Sequence, residues 1–285
     1  MSGGTDQAGF EARGTEALRH EGTEPKELIR ARRSELIEGP VPDSPVPRAE
    51  LDEWRERFGL VAGITQRGAG EVPFSLGLSA SAPAERVMSR FRAFRAAMRP
   101  SFSALQMAHQ VHGPEVAWHE SVAAGWHVRD DVDGHATRQP GLLLAVTVAD
   151  CVPVYLAAHD GRAVALVHAG WKGTAAGVLE QGLEVLRRIG GVLSPDVVVH
   201  CGVAICGSCY EVGPEVVRAV EGRTVRGQTH LDLRAALARR AEAAGVREIS
   251  VSPLCTSCDA DRFFSHRASG GDGGRQIAYL GRPSI

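Results

Sequence analysis

The sequence predicts an α/β fold, and three observations carry that reading. Two apolar runs of strand length, "GLLLAVTVAD" at 141–150 and "AVALVHAG" at 163–170, are almost uninterrupted, as in strands covered on both faces. Segments with apolar residues at helical spacing lie between such runs. Glycine or proline marks most of the junctions, so strands and helices alternate along the chain.

The first 47 residues stand apart. They are rich in Gly, Glu and Arg, hold few large apolar residues and close on a Pro-rich run. Such a composition cannot bury enough apolar surface to order itself, so residues 1–47 are expected to be a disordered extension. A helix is expected near 25–37 and a linker over 39–47, leaving 48–285 as the folded domain.

"RAELDEWRERFG" at 48–59 predicts a short helix with Leu51, Trp54 and Phe58 on one side. "LVAGITQRG" at 60–68 reads as a strand entering a turn, and 84–98 as an amphipathic helix. A strand is expected from 104 toward the glycine turn at Gly113, then the two apolar runs. Residues 174–190 form one helix in this reading, stopped by glycine. Another buried strand follows at 196–205, and a helix at 232–245 has Asp232 near its start and Gly245 past its end. A strand at 248–255, a loop and a last strand complete the order.

The bulk numbers bound the function. With 285 residues, 44% hydrophobic and 23% charged, the chain can bury a core without staples. A net charge of -2 offers no positive field for nucleic acid. No apolar run of about 18 residues predicts a membrane span. The polar start predicts no signal peptide, hence a reducing cytoplasm, where the six cysteines serve as ligands, nucleophiles or core residues rather than disulfides. Thirty of the 32 basic residues are arginine, so Lys172 in "GWKG" stands out, although chance explains it equally well.

The candidates for chemistry gather at strand ends. His112 lies in "HQVHG", Cys151 in "ADC" and His168 in "VHAGW", each after an apolar segment and before a Gly or Pro turn. Loops after strand ends line the crevices of α/β proteins. One thiolate and two imidazoles suit zinc, which in catalytic sites keeps a position for water or substrate. The spacings of 39 and 17 residues match no short metal motif, and buried core groups are the plain alternative. Asp150 beside the cysteine would orient a ligand or move protons, and Lys172 follows His168 by four residues.

Two rival chemistries use the same atoms. A Cys–His pair is also a thiol nucleophile with its base. Two His and one Cys are also the ligands of a blue-copper site, with Met107 the methionine nearest in sequence. A multicopper reading fares worse, because the 11 histidines include no H-x-H pair.

"CGSC" (Cys206, Cys209) and "CTSC" (Cys255, Cys258) are two C-x-x-C knuckles. Structural zinc and a labile disulfide are both open, but free structural thiols are the expectation, with Cys201 in the core. Arg67 and Arg267 are candidate anion contacts through their forked geometry, and Glu211 a candidate substrate contact. Each is equally an ordinary surface residue. "GGDGG" at 270–274 lacks the strand-to-helix setting of a phosphate cradle.

"QVHG", "DGHATRQPGLLLAVTVADCVPVYL", "VALVHAGWKGTAAGV", "ICGSCYEVGPEV" and "CTSCDADRFFSHR" occur in the order used by the laccase-domain family. That family is also named polyphenol oxidase, peptidoglycan editing factor or purine nucleoside phosphorylase. The chain resembles it from about residue 58 to the end. The resemblance implies a layered α/β/β/α fold with mixed sheets. It implies metal ligands at His112, Cys151 and His168, with zinc the usual ion and copper the alternative. Gln110 of "QVHG" joins the candidate substrate contacts. The implied substrates are a purine nucleoside (adenosine, inosine, guanosine or methylthioadenosine) and phosphate, with adenosine deamination beside phosphorolysis. A copper polyphenol oxidase and a Cys/His hydrolase editing peptidoglycan precursors are the other activities it implies. Known zinc base deaminases carry H-x-E and P-C-x-x-C, which this chain lacks. Two motifs depart from the family pattern: "SLGLSAS" has Gly77 or Ser79 near an expected Asn, and Val203 stands at an expected Pro.

Overall fold

The apolar runs form two six-stranded sheets in a computed structural model that describes residues 45–69, 72–77, 83–271 and 273–284. The expected extension before residue 45, its helix near 25–37, and Ser79 lie outside the described residues.

One sheet has the order β1-β2-β14-β7-β3-β5. Its strands are β1 (Arg48–Glu50), β2 (Val61–Thr65), β14 (Gln276–Gly281), β7 (Leu142–Val148), β3 (Ala104–His109) and β5 (Gly125–Asp130). The other has the order β13-β10-β8-β9-β6-β4. It is built from β13 (Glu248–Val251), β10 (Val197–Cys201), β8 (Val152–Ala158), β9 (Val164–Ala169), β6 (Gly134–Thr137) and β4 (Val116–His119). Both sheets are mixed: β7 runs antiparallel to β14 and parallel to β3, and β10 runs antiparallel to β8 and parallel to β13. A small pair, β11 (Glu211–Val212) and β12 (Thr229–His230), stands apart.

Alternation along each strand makes the layers. Leu142, Leu144 and Val146 of β7 share one cluster with Tyr155 and Ala157 of β8 and Leu166 of β9, between the sheets. The Tyr155 hydroxyl crosses that gap to donate to the Gly63 carbonyl at 2.8 Å. Val154, Leu156 and Val167 face the other way, onto α4 (Val178–Arg188) and α6 (Leu233–Ala243). On the far side of the first sheet lies α2 (Ala84–Met98), its Phe94 ring 5.5 Å from that of Tyr279 in β14. The architecture is therefore α/β/β/α, and helices on both outer faces explain why the central strands are apolar throughout.

The differences from expectation have local causes. Residues 48–50 are extended, not helical, because they pair with β2 and Leu51 donates to the Ala62 carbonyl at 2.9 Å. Helix α1 (Asp52–Phe58) starts after them and ends at Gly59, in the left-handed region at φ 66°. The helix expected over 174–190 is two, α3 (Trp171–Ala176) and α4, because Gly177 takes φ 90°. The strands β4 to β6 and helix α5 (Pro214–Glu221) are short and gave no clear period in the sequence. Among the described residues no helix is long and apolar enough to cross a membrane.

One buried pair stands out beside the core. His119 of β4 and His135 of β6 are linked ring to ring at 3.0 Å. Burial pushes both down, His119 to about 4 and His135 to about 3, so both are neutral.

Candidate metal centre

The site forms where the sheets meet. Strand β7 belongs to one sheet and β8 to the other, yet only Ala149, Asp150 and Cys151 join them. So short a crossing needs a sharp backbone turn, and Asp150 supplies it at φ 82°, a region Asp tolerates better than most residues. Cys151 follows at the gap. His112 comes from the loop after β3, itself at φ 61°, and His168 from the end of β9.

The three expected ligands converge. One ligand atom from each of His112, Cys151 and His168 lies within 4.8 Å of the others. His168 is buried, Cys151 half-buried and His112 exposed, so the cluster opens toward solvent on the His112 side. Gly170 is required beside it. A Cβ there would stand 2.9 Å from Cys151 Sγ and 3.1 Å from His112 Cδ2.

Asp133, which the sequence reading did not single out, organises the site. Its carboxylate is fully buried and accepts four hydrogen bonds. Three come from successive backbone N–H groups, Val111 at 3.0 Å, His112 at 3.0 Å and Gly113 at 2.8 Å. The fourth comes from His168 Nδ1 at 2.8 Å. One carboxylate therefore shapes the His112 loop and fixes His168 with Nε2 free to bind. Burial works to raise the Asp133 pKa, but His168 and the backbone donors outweigh it and lower it. The only sequence trace of this residue was its place at the head of "DGHATRQP"; its partners lie 21 and 35 residues away in the chain.

The electrostatics follow from these contacts. Burial pushes the Cys151 thiol up, but the charge of His168 and the hydrogen bonds of His112 and His168 draw it down to about 6. Burial likewise opposes charge on His168, which Cys151 and Asp133 raise to about 9. A thiolate is thus available near neutral pH, as metal ligation requires. The donor set of one sulfur and two imidazoles, with a carboxylate behind one of them, fits zinc, and also copper. Met107 is buried in β3.

The remaining candidates fall into two groups. Asp150, Arg267 and Glu211 are brought together. Asp150 accepts from Thr256 Oγ1 at 2.5 Å and from the Arg267 backbone N–H at 2.7 Å. The Arg267 guanidinium donates to the Glu211 carbonyl at 2.8 Å and lies 5.1 Å from the centre of the Tyr210 ring. Gln110 is engaged at both ends of its amide with Thr147 of β7, which ties the His112 loop to that strand. Arg67 lies 5.5 Å from the Phe264 ring centre, and exposed Lys172 lies 5.7 Å from that of Trp171 on α3. Neither has a described contact with the three ligands.

Comparison with known proteins places the chain among relatives of the same fold. A relative from Geobacillus stearothermophilus, purine nucleoside phosphorylase YlmD, is 34% identical over 248 residues, covering 79% of this chain and 90% of its own. The adenosine deaminase RL5 from an unknown prokaryotic organism is 35% identical over 166 residues, covering 54% of this chain and 63% of its own. The crystal structure of the Bacillus licheniformis hypothetical protein YfiH superposes with a TM-score of 0.73 at 28% identity, over 84% of this chain and 97% of that one. The family model described as multi-copper polyphenol oxidoreductase laccase matches residues 62–283. With that match spanning most of its length, the chain belongs to the multi-copper polyphenol oxidoreductase laccase family.

Proposed function

We propose that this chain is a zinc-dependent purine nucleoside phosphorylase of the cytoplasm, with residues 48–285 as its catalytic domain and a purine nucleoside and phosphate as its substrates. The observation that carries the reading is the convergence of His112, Cys151 and His168 on one point, with Asp133 orienting His168. The relative named purine nucleoside phosphorylase supports the choice of reaction.

Zinc held by His112, Cys151 and His168 would supply Lewis acidity at the open side of the cluster. In phosphorolysis a phosphate oxygen attacks ribose C1 while the bond to the purine nitrogen breaks, and that nitrogen gains a proton. Asp150 stands as the proton relay, its carboxylate oriented by Thr256 and by the Arg267 N–H. Arg67, Lys172 and Arg267 supply positive charge for the phosphate. Glu211, whose carbonyl holds Arg267, contributes a contact to the nucleoside. Gln110, tied to Thr147 through one amide N–H and its carbonyl, keeps its second N–H for the substrate.

Incubating the purified, zinc-loaded chain with inosine and phosphate is expected to release hypoxanthine and ribose 1-phosphate, and Cys151→Ala to stop it. No product from fully loaded protein would overturn the reading. A second reaction, adenosine deamination, is favoured by the relative named adenosine deaminase. It predicts inosine and ammonia from adenosine without phosphate. Elemental analysis for zinc and copper decides the metal.

A further inference from the structure

The two C-x-x-C knuckles, expected as free thiols, meet in space. Cys206 and Cys209 follow β10, while Cys255 and Cys258 follow β13. These strands are parallel neighbours, so both knuckles leave the sheet at the same end. A bridge between Ala204 and Cys255 and the 3.2 Å bond from the Thr256 N–H to the Ala204 carbonyl prolong the pairing up to the cluster. All four Sγ atoms lie within 4.8 Å of one another. Cys258 Sγ is 3.4 Å from that of Cys209 and 4.0 Å from that of Cys206. A tetrahedron of sulfurs at the usual zinc–sulfur distance of about 2.3 Å has edges of about 3.8 Å.

We infer that Cys206, Cys209, Cys255 and Cys258 form a second metal site, a closed four-thiolate zinc site separate from the proposed catalytic centre. Two further features match such a site. Cys255 Sγ accepts backbone N–H bonds from Cys206 at 3.2 Å and Cys258 at 3.4 Å, donors that stabilise a sulfur bearing negative charge. The Cys206–Cys209 knuckle is itself a tight turn, with the N–H groups of Cys209 and Tyr210 both donating to the Cys206 carbonyl at 3.1 Å. A single disulfide would use only two of the four sulfurs, and two disulfides would need an oxidant to take up four electrons. Zinc uses all of them, the four thiol protons passing to solvent as the ion binds.

The site also has a place to act. The residue before the first knuckle, Ile205, donates its N–H to the Asp150 carbonyl at 3.1 Å. Thr256, inside the second knuckle, donates its hydroxyl to the Asp150 carboxylate. An ion joining the knuckles thus clamps both sides of the left-handed residue that precedes Cys151. It is a positioning device for the neighbouring centre.

The test reads metal rather than turnover, so it is independent of the proposed reaction. The full chain carrying His112→Ala and His168→Ala, purified and incubated with zinc(II), is expected to retain one zinc per chain; the unaltered chain holds two. Replacing that zinc with cobalt(II) should produce the thiolate-to-cobalt charge-transfer and tetrahedral ligand-field bands of a four-sulfur site. Adding Cys206→Ser and Cys258→Ser should remove both the ion and the bands. If these serines prevent folding, thiol titration of the His112→Ala, His168→Ala chain stands in. Four thiols should be protected until a chelator is added. Four freely reacting thiols, a mass showing a disulfide, or no retained metal would overturn the inference.

Discussion

The two clusters of metal-grade side chains differ in almost every respect except that both sit at strand ends. The His112–Cys151–His168 cluster uses two imidazoles and one sulfur and is contributed by both sheets. The four-cysteine cluster follows two parallel neighbours in one sheet and offers only sulfur. Three mixed ligands with an open side suit an ion that takes part in a reaction; four thiolates suit an ion that holds chain together. The difference teaches that strand ends alone do not mark a catalytic metal. The count and kind of ligand decide its use.

The sharpest way to break this comparison is to remove a ligand from each cluster. Cys151→Ala is expected to lower kcat/KM for inosine phosphorolysis by at least about 100-fold, above the range seen when only a supporting partner is lost. Cys206→Ser is expected to show first in the melting temperature and the zinc count. A Cys151→Ala chain with full turnover would end the distinction.

Asp133→Asn probes the layer behind the ligands. Asparagine cannot serve all four donors as an acceptor, so His168 loses its fixed orientation. Zinc affinity at the mixed site should fall about 10- to 100-fold while the four-cysteine site keeps its ion, read by competition with a chromophoric chelator. Gly170→Ala should act on the same site alone. Its Cβ would press on Cys151 Sγ and His112, costing about 1–3 kcal/mol, measured as a drop in unfolding free energy with a weaker mixed site.

The His119–His135 pair is a control for what burial does without a thiolate partner. His168 is raised by Cys151 and Asp133, whereas this pair is lowered by burial to about 4 and about 3. The unfolded chain takes up protons below the ordinary histidine value of 6.5 that the folded chain refuses. Their contribution is therefore complete above that value and is lost as pH falls toward 4 and then 3. Each should steepen the acid limb of stability by up to about 1.4 kcal/mol per pH unit. Urea unfolding at a series of pH values should show a flatter limb for His135→Leu.

Much of this was legible in one dimension. Cys151 and His168 end apolar runs, and a strand covered on both faces has few other reasons to stop on a polar, ligating residue. Asp133 left no such trace, because a buried carboxylate in a short strand-loop segment looks like any turn acid until its four donors are in place. The single helix expected over 174–190 failed for a local reason, since Gly177 in an apolar helical pattern reads as a tolerated residue and in fact breaks the helix. The cysteine knuckles were visible as motifs, but their meeting depends on β10 and β13 being parallel neighbours, which no spacing reveals.

The linear order of residues determined the α/β character and the apolar core strands, because burial on both faces leaves a pattern in every strand, and it marked His112, Cys151 and His168 as candidate ligands at or just after strand ends. Only the tertiary structure decided which sheet each strand joined, that Asp133 backs His168, and that four cysteines share one point. Those are contacts between residues far apart in the chain, set by strand pairing and side-chain packing, and no local preference encodes them.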